Sequence, residues 1–224
     1  DGQLLIPRLK SFAQPPGSAD QIEVRGAHSY LITGGLGALG RQAARWLADR
    51  GAEQIVLTSR RAPDEAARES LREIEAAGCQ VVVHSADVGD RAHVGELFAR
   101  FGTELLPLAG IIHAAGIVDD ALWEDQSWDR FEKVLRPKAL GAALLHEFTV
   151  DLPLDFFLLY SSASSVLGPP GQSNYAAANA YLDGLAAHRR SQGLPAISLN
   201  WGPWSEGMAD DERIRKRLQL QGIT

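Results

Sequence analysis

Short apolar runs that lack polar alternation recur along this chain, and each leads into a stretch with helical spacing. Ile55-Val56-Leu57, Val81-Val82-Val83 and Phe156 to Tyr160 are of this kind, and a strand that is apolar on both faces needs cover on both sides. The spacing predicts strands at 29–33, 54–58, 80–84, 107–113, 154–161 and 195–200, alternating with helices over 38–50, 64–77, 91–101, 127–147 and 174–191. In the helix over 91–101, Val94, Leu97, Phe98 and Phe101 share one face. Repeated strand–helix–strand units imply a parallel sheet. Right-handed crossovers make it an α/β, Rossmann-like doubly wound sheet with helices on both faces. With 224 residues, 45% of them apolar, one sizeable core is within reach.

The first predicted strand leads into Gly35-Leu36-Gly37-Ala38-Leu39-Gly40, three glycines spaced G-x-G-x-x-G. Tyr30-Leu31-Ile32 precedes them, and Leu39, Ala43, Trp46 and Leu47 follow at helical spacing. This is the context in which the motif binds a dinucleotide. Gly35 is expected to take the positive φ of the turn, Gly37 to admit a pyrophosphate, and Gly40 to let helix and strand pack closely. The N–H groups and positive dipole end of the following helix then face the anion.

Composition narrows the partners. A net charge of −6 offers no basic footprint for nucleic acid, so any phosphate site is local. Cys79 is the single cysteine, which excludes an internal disulfide and a cysteine-rich metal site. No signal pattern opens the chain, and the longest apolar run, Phe156 to Tyr160, is too short for a bilayer. A cytoplasmic location is expected, with no membrane partner.

In open α/β sheets ligands bind at the carboxyl ends of the strands. The second strand ends in Thr58-Ser59-Arg60-Arg61. An acidic residue there would suit an adenosine ribose, whereas the Arg60 guanidinium suits a 2′-phosphate and so NADPH, unless both arginines are surface decoration. Asp87-Val88 follows the third strand; Asp87 can accept from an adenine amino group or cap the helix that starts near 87–90. After the fourth strand, His113-Ala114-Ala115-Gly116 leaves room for a flat nucleoside, with His113 itself reading as a hydrogen-bonded core histidine. Asp119 and Asp120 would share acid–base work only if both faced one pocket, and a solvated loop is the plainer reading.

Ser161-Ser162 closes a buried strand, and Tyr175 begins the next helix, so a serine and a tyrosine can converge on one carbonyl oxygen. Tyr175, Asn179 and Asp183 lie four residues apart on one helical face. A tyrosine acid needs a nearby cation to work at neutral pH. No lysine or arginine stands at position 179, which leaves Lys138, after Pro137 in an otherwise helical stretch. The proline bend can aim Lys138 inward, although an exposed lysine is the commoner case.

Together with the glycine-rich turn, five stretches make the chain recognisable from Ser29 to Met208: His113 to Gly116, Arg136-Pro137-Lys138-Ala-Leu-Gly141-Ala142, Tyr160 to Ala163, Gly171 to Asp183 and Asn200-Trp201-Gly202-Pro203-Trp204. In order and spacing it resembles the ketoreductase domains of modular polyketide synthases, of the short-chain dehydrogenase/reductase superfamily. The resemblance implies an NADPH-dependent reductase of 3-oxoacyl thioesters, with Ser162 and Tyr175 on the ketone oxygen and Lys138 and Asn179 completing a tetrad. Most of the superfamily has lysine where this chain has Asn179; the polyketide family brings its lysine from the Pro-Lys position. The cofactor would contact Thr33, Gly35, Leu36, Gly37, Leu39, Gly40, Ser59, Arg60, Asp87, Val88, His113, Ala114, Ala115, Gly116, Lys138, Tyr175, Pro203 and Trp204.

The resemblance also bears on stereochemistry. A Leu-Asp-Asp motif marks B-type domains, which give the D alcohol, and a tryptophan eight residues before the tyrosine marks the opposite class. Here the motif reads Val118-Asp119-Asp120 and position 167 is leucine, with Pro170 and Asn174 also of the D pattern and Met208 near the substrate. The D alcohol is expected.

Leu4 to Leu9 resembles the closing strand of the family's upstream structural subdomain, joined by a Gln14 to Ala19 linker, so residues 1–27 are assigned to its end. Residues 28–208 form the catalytic domain, and 209–224 a lid helix and truncated end. The substrate is expected on an acyl carrier protein beside other domains of the synthase, including that structural subdomain. Two alternatives stand: the ketoreductase of a multifunctional fatty acid synthase, and a silent NADP-binding scaffold.

Overall fold

A computed structural model of the chain describes residues 22–202. The expectations at 1–21 and 203–224, including Pro203, Trp204 and Met208, lie outside the described residues. Six parallel strands, β1 (Ser29–Thr33), β2 (Gln54–Ser59), β3 (Gln80–Ser85), β4 (Leu108–His113), β5 (Phe156–Ser162) and β6 (Ile197–Trp201), form one sheet in the order β3-β2-β1-β4-β5-β6. This is the doubly wound order, and the chain reverses direction across the sheet between β1 and β4. Thr33 of β1 pairs in register with Thr58 on one side and with His113 on the other. Three strand ends therefore open into one crevice.

Helices α1 (Ala38–Ala48) and α2 (Glu65–Ala76) cover one face; Ala43, Leu47, Leu71 and Ile74 pack on Tyr30, Ile32, Ile55 and Leu57. On the other face α3 (Arg91–Phe98), α5 (Gly141–Glu147) and α7 (Ser173–Ser191) bring Val94, Leu97, Leu144, Leu182 and Leu185 onto Leu31, Val56, Ile111 and Phe157. Burial on both faces is the reason β1, β2, β4 and β5 carry apolar runs, whereas in β3, at one end of the strand order, Val81 and Val82 are half-buried and Val83 is exposed, so the run there does not mark two-sided cover. Asp64 and Asp90 cap α2 and α3 by accepting from first-turn N–H groups. Asp90 rather than Asp87 fills the capping role near 87–90.

The structure departs from the sequence expectations at three further places. The third helix stops at Phe98, and Phe101 lies beyond it, in a bridge with Leu105 and edge-on to Phe98. The long helix over 127–147 is three pieces: α4 (Trp128–Leu135), a wide π-helical turn over Arg136–Leu140, and α5. A short helix, α6 (Ser164–Leu167), follows β5 directly.

Arg189 of α7 is fully buried and bonds the Pro195 carbonyl, Thr149 Oγ1 and His146 Nδ1, with its guanidinium 4.0 Å from the Phe157 ring centroid. The arginine can only donate, so His146 Nδ1 accepts and the ring is neutral. His113, also fully buried, stands between Thr33 Oγ1 at 2.7 Å and the Lys138 carbonyl at 2.9 Å. The carbonyl can only accept, which puts the ring proton on Nε2 and leaves Nδ1 to accept from Thr33. Burial pushes the His113 pKa down to about 4.

A folded pKa below the unfolded value means that the native state binds fewer protons. The stabilisation is therefore complete above about pH 6.5 and is lost as pH falls towards 4, up to about 3 kcal/mol. Urea midpoints are expected to drop below about pH 6.5, and His113→Asn should flatten the drop between 6.5 and 4. An unchanged slope in that variant would assign the acid lability elsewhere.

Candidate active site

The glycine-rich turn leaves β1 at Thr33 and enters α1 at Gly37. Its left-handed residue is Gly34, with φ of 66°, and not Gly35 as the motif suggested. Gly35 is required for another reason, because a Cβ there would lie 2.7 Å from the Leu57 side chain. At Gly40 a Cβ would lie 2.5 Å from the Gly34 carbonyl, so α1 seats directly on the turn. Gly37 is exposed, and α1 has no side-chain cap. The first-turn N–H groups stay open to an anion approaching over Gly37, with Leu36 and Leu39 half-buried beside them. This surface fits a pyrophosphate.

Around the turn, the other strand ends supply a shelf. Ala114 N–H donates to the Thr33 carbonyl and Ala115 N–H reaches Thr33 Oγ1, which holds the Ala114-Ala115-Gly116 loop against β1. At the end of β2, Ser59 Oγ accepts from Arg61 N–H, and Arg60 is exposed with no ion pair among the described residues. Asp87 accepts from Gly89 N–H and is 3.2 Å from Arg136, while Val88 is buried below. Arg41 was not anticipated; its guanidinium donates to the Leu36 carbonyl and braces the turn.

Ser162, Tyr175, Asn179 and Lys138 come together at the carboxyl end of β5. The π-helical turn, with Pro137 at its start, carries Lys138 inward, so that the side chain is 3% exposed. Lys138 Nζ donates to the Tyr160 carbonyl at 2.7 Å and sits 5.5 Å from the Tyr175 ring centroid. Gly116 lies beside it, where a Cβ would make ordinary contact with Lys138 Cε at 3.4 Å. Burial lowers the Lys138 pKa to about 7, against the attraction of Asp183. Burial raises the Tyr175 phenol, while hydrogen bonds with Asn179 and Ser162 pull it down and the Asp120 charge raises it. Asn179 is fully buried; its Nδ2 donates to the Tyr175 carbonyl at 2.8 Å, and its Oδ1 has no hydrogen-bond partner among the described residues.

Asp119 and Asp120 do not face one pocket. The Asp119 carboxylate pairs with Arg130 and with Lys133, and the Lys133 hydrogen bond holds its pKa low. Asp120 instead accepts from Gln172 Nε2 at 3.0 Å. The Asn174 amide donates to the Asp119 carbonyl at 2.8 Å and its Oδ1 accepts from Tyr175 N–H, while Ala121 N–H donates to the Gly171 carbonyl. The aspartate loop is thus laced to the segment leading into Tyr175. Leu167 and Pro170 are exposed on that segment. Gln172 carries the lacing and had no local signature in the sequence.

Comparison with known proteins agrees with this geometry. The KR domain family model matches residues 28–206. The chain is 47% identical over 196 residues to the polyketide synthase GfsB of Streptomyces halstedii, covering 87% of this chain and 4% of that protein. It is 47% identical over 185 residues to the mycoketide-CoA synthase of Mycobacterium tuberculosis (strain ATCC 25618 / H37Rv), covering 82% of this chain and 4% of that one. Among solved structures, A-type ketoreductases from a modular polyketide synthase superpose with a TM-score of 0.88 at 43% identity, over 94% of this chain and 44% of theirs. The first ketoreductase of the tylosin PKS gives 0.77 at 44% identity, over 88% and 42%. The chain thus spans a small part of these synthases and under half of these solved chains. It belongs to the KR domain family, the ketoreductase domains of modular polyketide synthases, built on the short-chain dehydrogenase/reductase fold.

Proposed function

We propose that this domain reduces the 3-oxo group of an acyl thioester, delivered on an acyl carrier protein, to the 3-hydroxyacyl thioester with NADPH, giving the D alcohol. The observation that carries the reading is the meeting of Ser162, Tyr175, Lys138 and Asn179 beside the crevice of the glycine-rich turn. When bound, NADPH supplies the hydride that reaches the β-carbon. As charge grows on the ketone oxygen, Ser162 donates a hydrogen bond to it and the Tyr175 hydroxyl gives up its proton. The buried Lys138 ammonium stabilises the tyrosinate left behind. The unpartnered Asn179 Oδ1 suits a water that returns a proton to Tyr175.

The preference for NADPH rests on Arg60, an exposed guanidinium at the end of β2 with no ion pair among the described residues. Its planar donors suit a 2′-phosphate. Delivery by a carrier protein rests on the kinship with synthase modules. The D alcohol rests on Val118-Asp119-Asp120 and on leucine at 167. Similarity to structures described as A-type, the class opposite to B, favours the L alcohol as a second reading.

Following NADPH absorbance with a simple 3-oxoacyl thioester, Tyr175→Phe should cut turnover by about a hundredfold or more while NADPH still binds. Equal rates in the two proteins would remove the tyrosine from the chemistry. Arg60→Asp should weaken NADPH at least about tenfold more than NADH, by loss of a charge-assisted pair; equal weakening would show that Arg60 does not read the 2′-phosphate. Chiral chromatography of the diketide product should find the D alcohol in excess, and a mainly L product would establish the second reading.

A further inference from the structure

The mechanism leaves one half-buried carboxylate of the site unused. Asp183 stands on α7 one turn beyond Asn179 and two beyond Tyr175. Its Oδ1 accepts from Ser198 Oγ of β6 at 2.5 Å. Its Oδ2 accepts from Ser165 Oγ of α6 at 2.7 Å and from Asn200 Nδ2 of β6 at 2.9 Å. The Asn200 amide in turn reaches Ser165 Oγ at 2.8 Å, the Ser162 carbonyl at 3.3 Å and Ser161 Oγ at 3.4 Å. One carboxylate on α7 therefore gathers the donors that strap the Ser162 turn to the edge strand.

Besides this strap, the β5–β6 ladder pairs Ser162 with Trp201, Ala163 N–H donates to the Trp201 carbonyl, Ser161 Oγ donates to the Asn179 carbonyl, and Ser162 Oγ accepts from Ser164 N–H. Ser162 must hold its hydroxyl against Tyr175, which sits on the same helix as Asp183. In addition, Lys138 is faced by the Tyr160 carbonyl of β5, by Tyr175 of α7 and by His113 of β4, whose ring bonds the Lys138 carbonyl. Asp183 supplies the carboxylate attraction that favours the ammonium there.

We propose that Asp183 is a positioning residue of the reductase site, clamping the Ser162 turn to α7 through Ser165 and Asn200. The inference rests on the reductase reading only for its rate arm. The clamp itself needs no turnover and is also read from backbone amide exchange at Ser162 and Ala163.

The test compares the full chain with Asp183→Asn and Asn200→Ala, each checked for folding by circular dichroism. Lysine labelled with carbon-13 at Cε gives four signals, from Lys10, Lys133, Lys138 and Lys216, and Lys138→Arg identifies the one of interest. In Asp183→Asn the Lys138 titration midpoint should fall by about half a pH unit or more, because removal of an anion disfavours the ammonium. In Asn200→Ala the charge remains, so the midpoint should hold while kcat falls about tenfold, as expected when a reacting group is misplaced. KM should change less than kcat in both variants. Unchanged kcat in Asn200→Ala overturns the clamp. If Asp183→Asn fails to fold, Asp183→Glu restores charge at a longer reach, and a wild-type midpoint there with reduced kcat supports the proposal; wild-type kcat overturns it. Absence of turnover in the wild-type chain would count against the reductase reading alone; amide exchange at Ser162 and Ala163, faster in Asn200→Ala if the clamp holds and unchanged if it does not, would still decide the clamp.

Discussion

Holding an ammonium group inside an apolar crevice is the demand around which this fold is arranged. A buried lysine without a close carboxylate loses hydration that few contacts can replace. Here Nζ keeps one hydrogen bond, to the Tyr160 carbonyl, and the Lys138 carbonyl is held by neutral His113. His113 is in turn fixed by Thr33, the last residue of β1 and the first step into the glycine-rich turn. The cofactor crevice and the reductive site are thus joined by a chain of two hydrogen bonds. Gly141 belongs to the same arrangement, since a Cβ there would stand 2.9 Å from Val88 and 3.2 Å from the His113 ring.

The wide turn over Arg136–Leu140 makes that burial possible. A regular helix through Pro137 would lack one backbone bond and bend. Widening over five residues carries Pro137, Lys138 and Ala139 all into buried positions. Single π-helical turns inside helices are often found at functional sites. On the proposed mechanism the turn takes the place of a lysine one helical turn after Tyr175, and position 179 is an asparagine whose Oδ1 has no hydrogen-bond partner among the described residues.

Much of this was legible from the sequence. Strands covered on both faces carry unbroken apolar runs, so Ile55-Val56-Leu57 marks the parallel sheet, whereas Val81-Val82-Val83 reads alike although β3 ends the strand order and leaves Val83 exposed. The proline before Lys138 marked a bend, but spacing does not distinguish a kink from a π-helical turn. The motif placed the positive φ one residue late, because G-x-G-x-x-G does not say which neighbouring glycine turns the chain, and Gly34 also stood there. The pairing of Asp120 with Gln172 joins residues 52 apart, and side-chain contacts between loops leave no periodic trace. Asp183 was visible as a member of the Tyr175 face, but its partners come from α6 and β6, which only the folded chain brings together.

The edge position of β6 gives the domain an order of assembly. The strap on the Ser162 carbonyl comes from Asn200, near the carboxyl end of the last described strand, and among the described residues β6 pairs only with β5. Loop-closure entropy delays contacts between distant segments. During synthesis the nucleotide crevice, built from β1, β2 and β4, can form while the chain is still emerging, whereas Ser162 is secured only after residue 200 has cleared the ribosome. A nascent domain would therefore acquire its cofactor surface before it acquires a working centre.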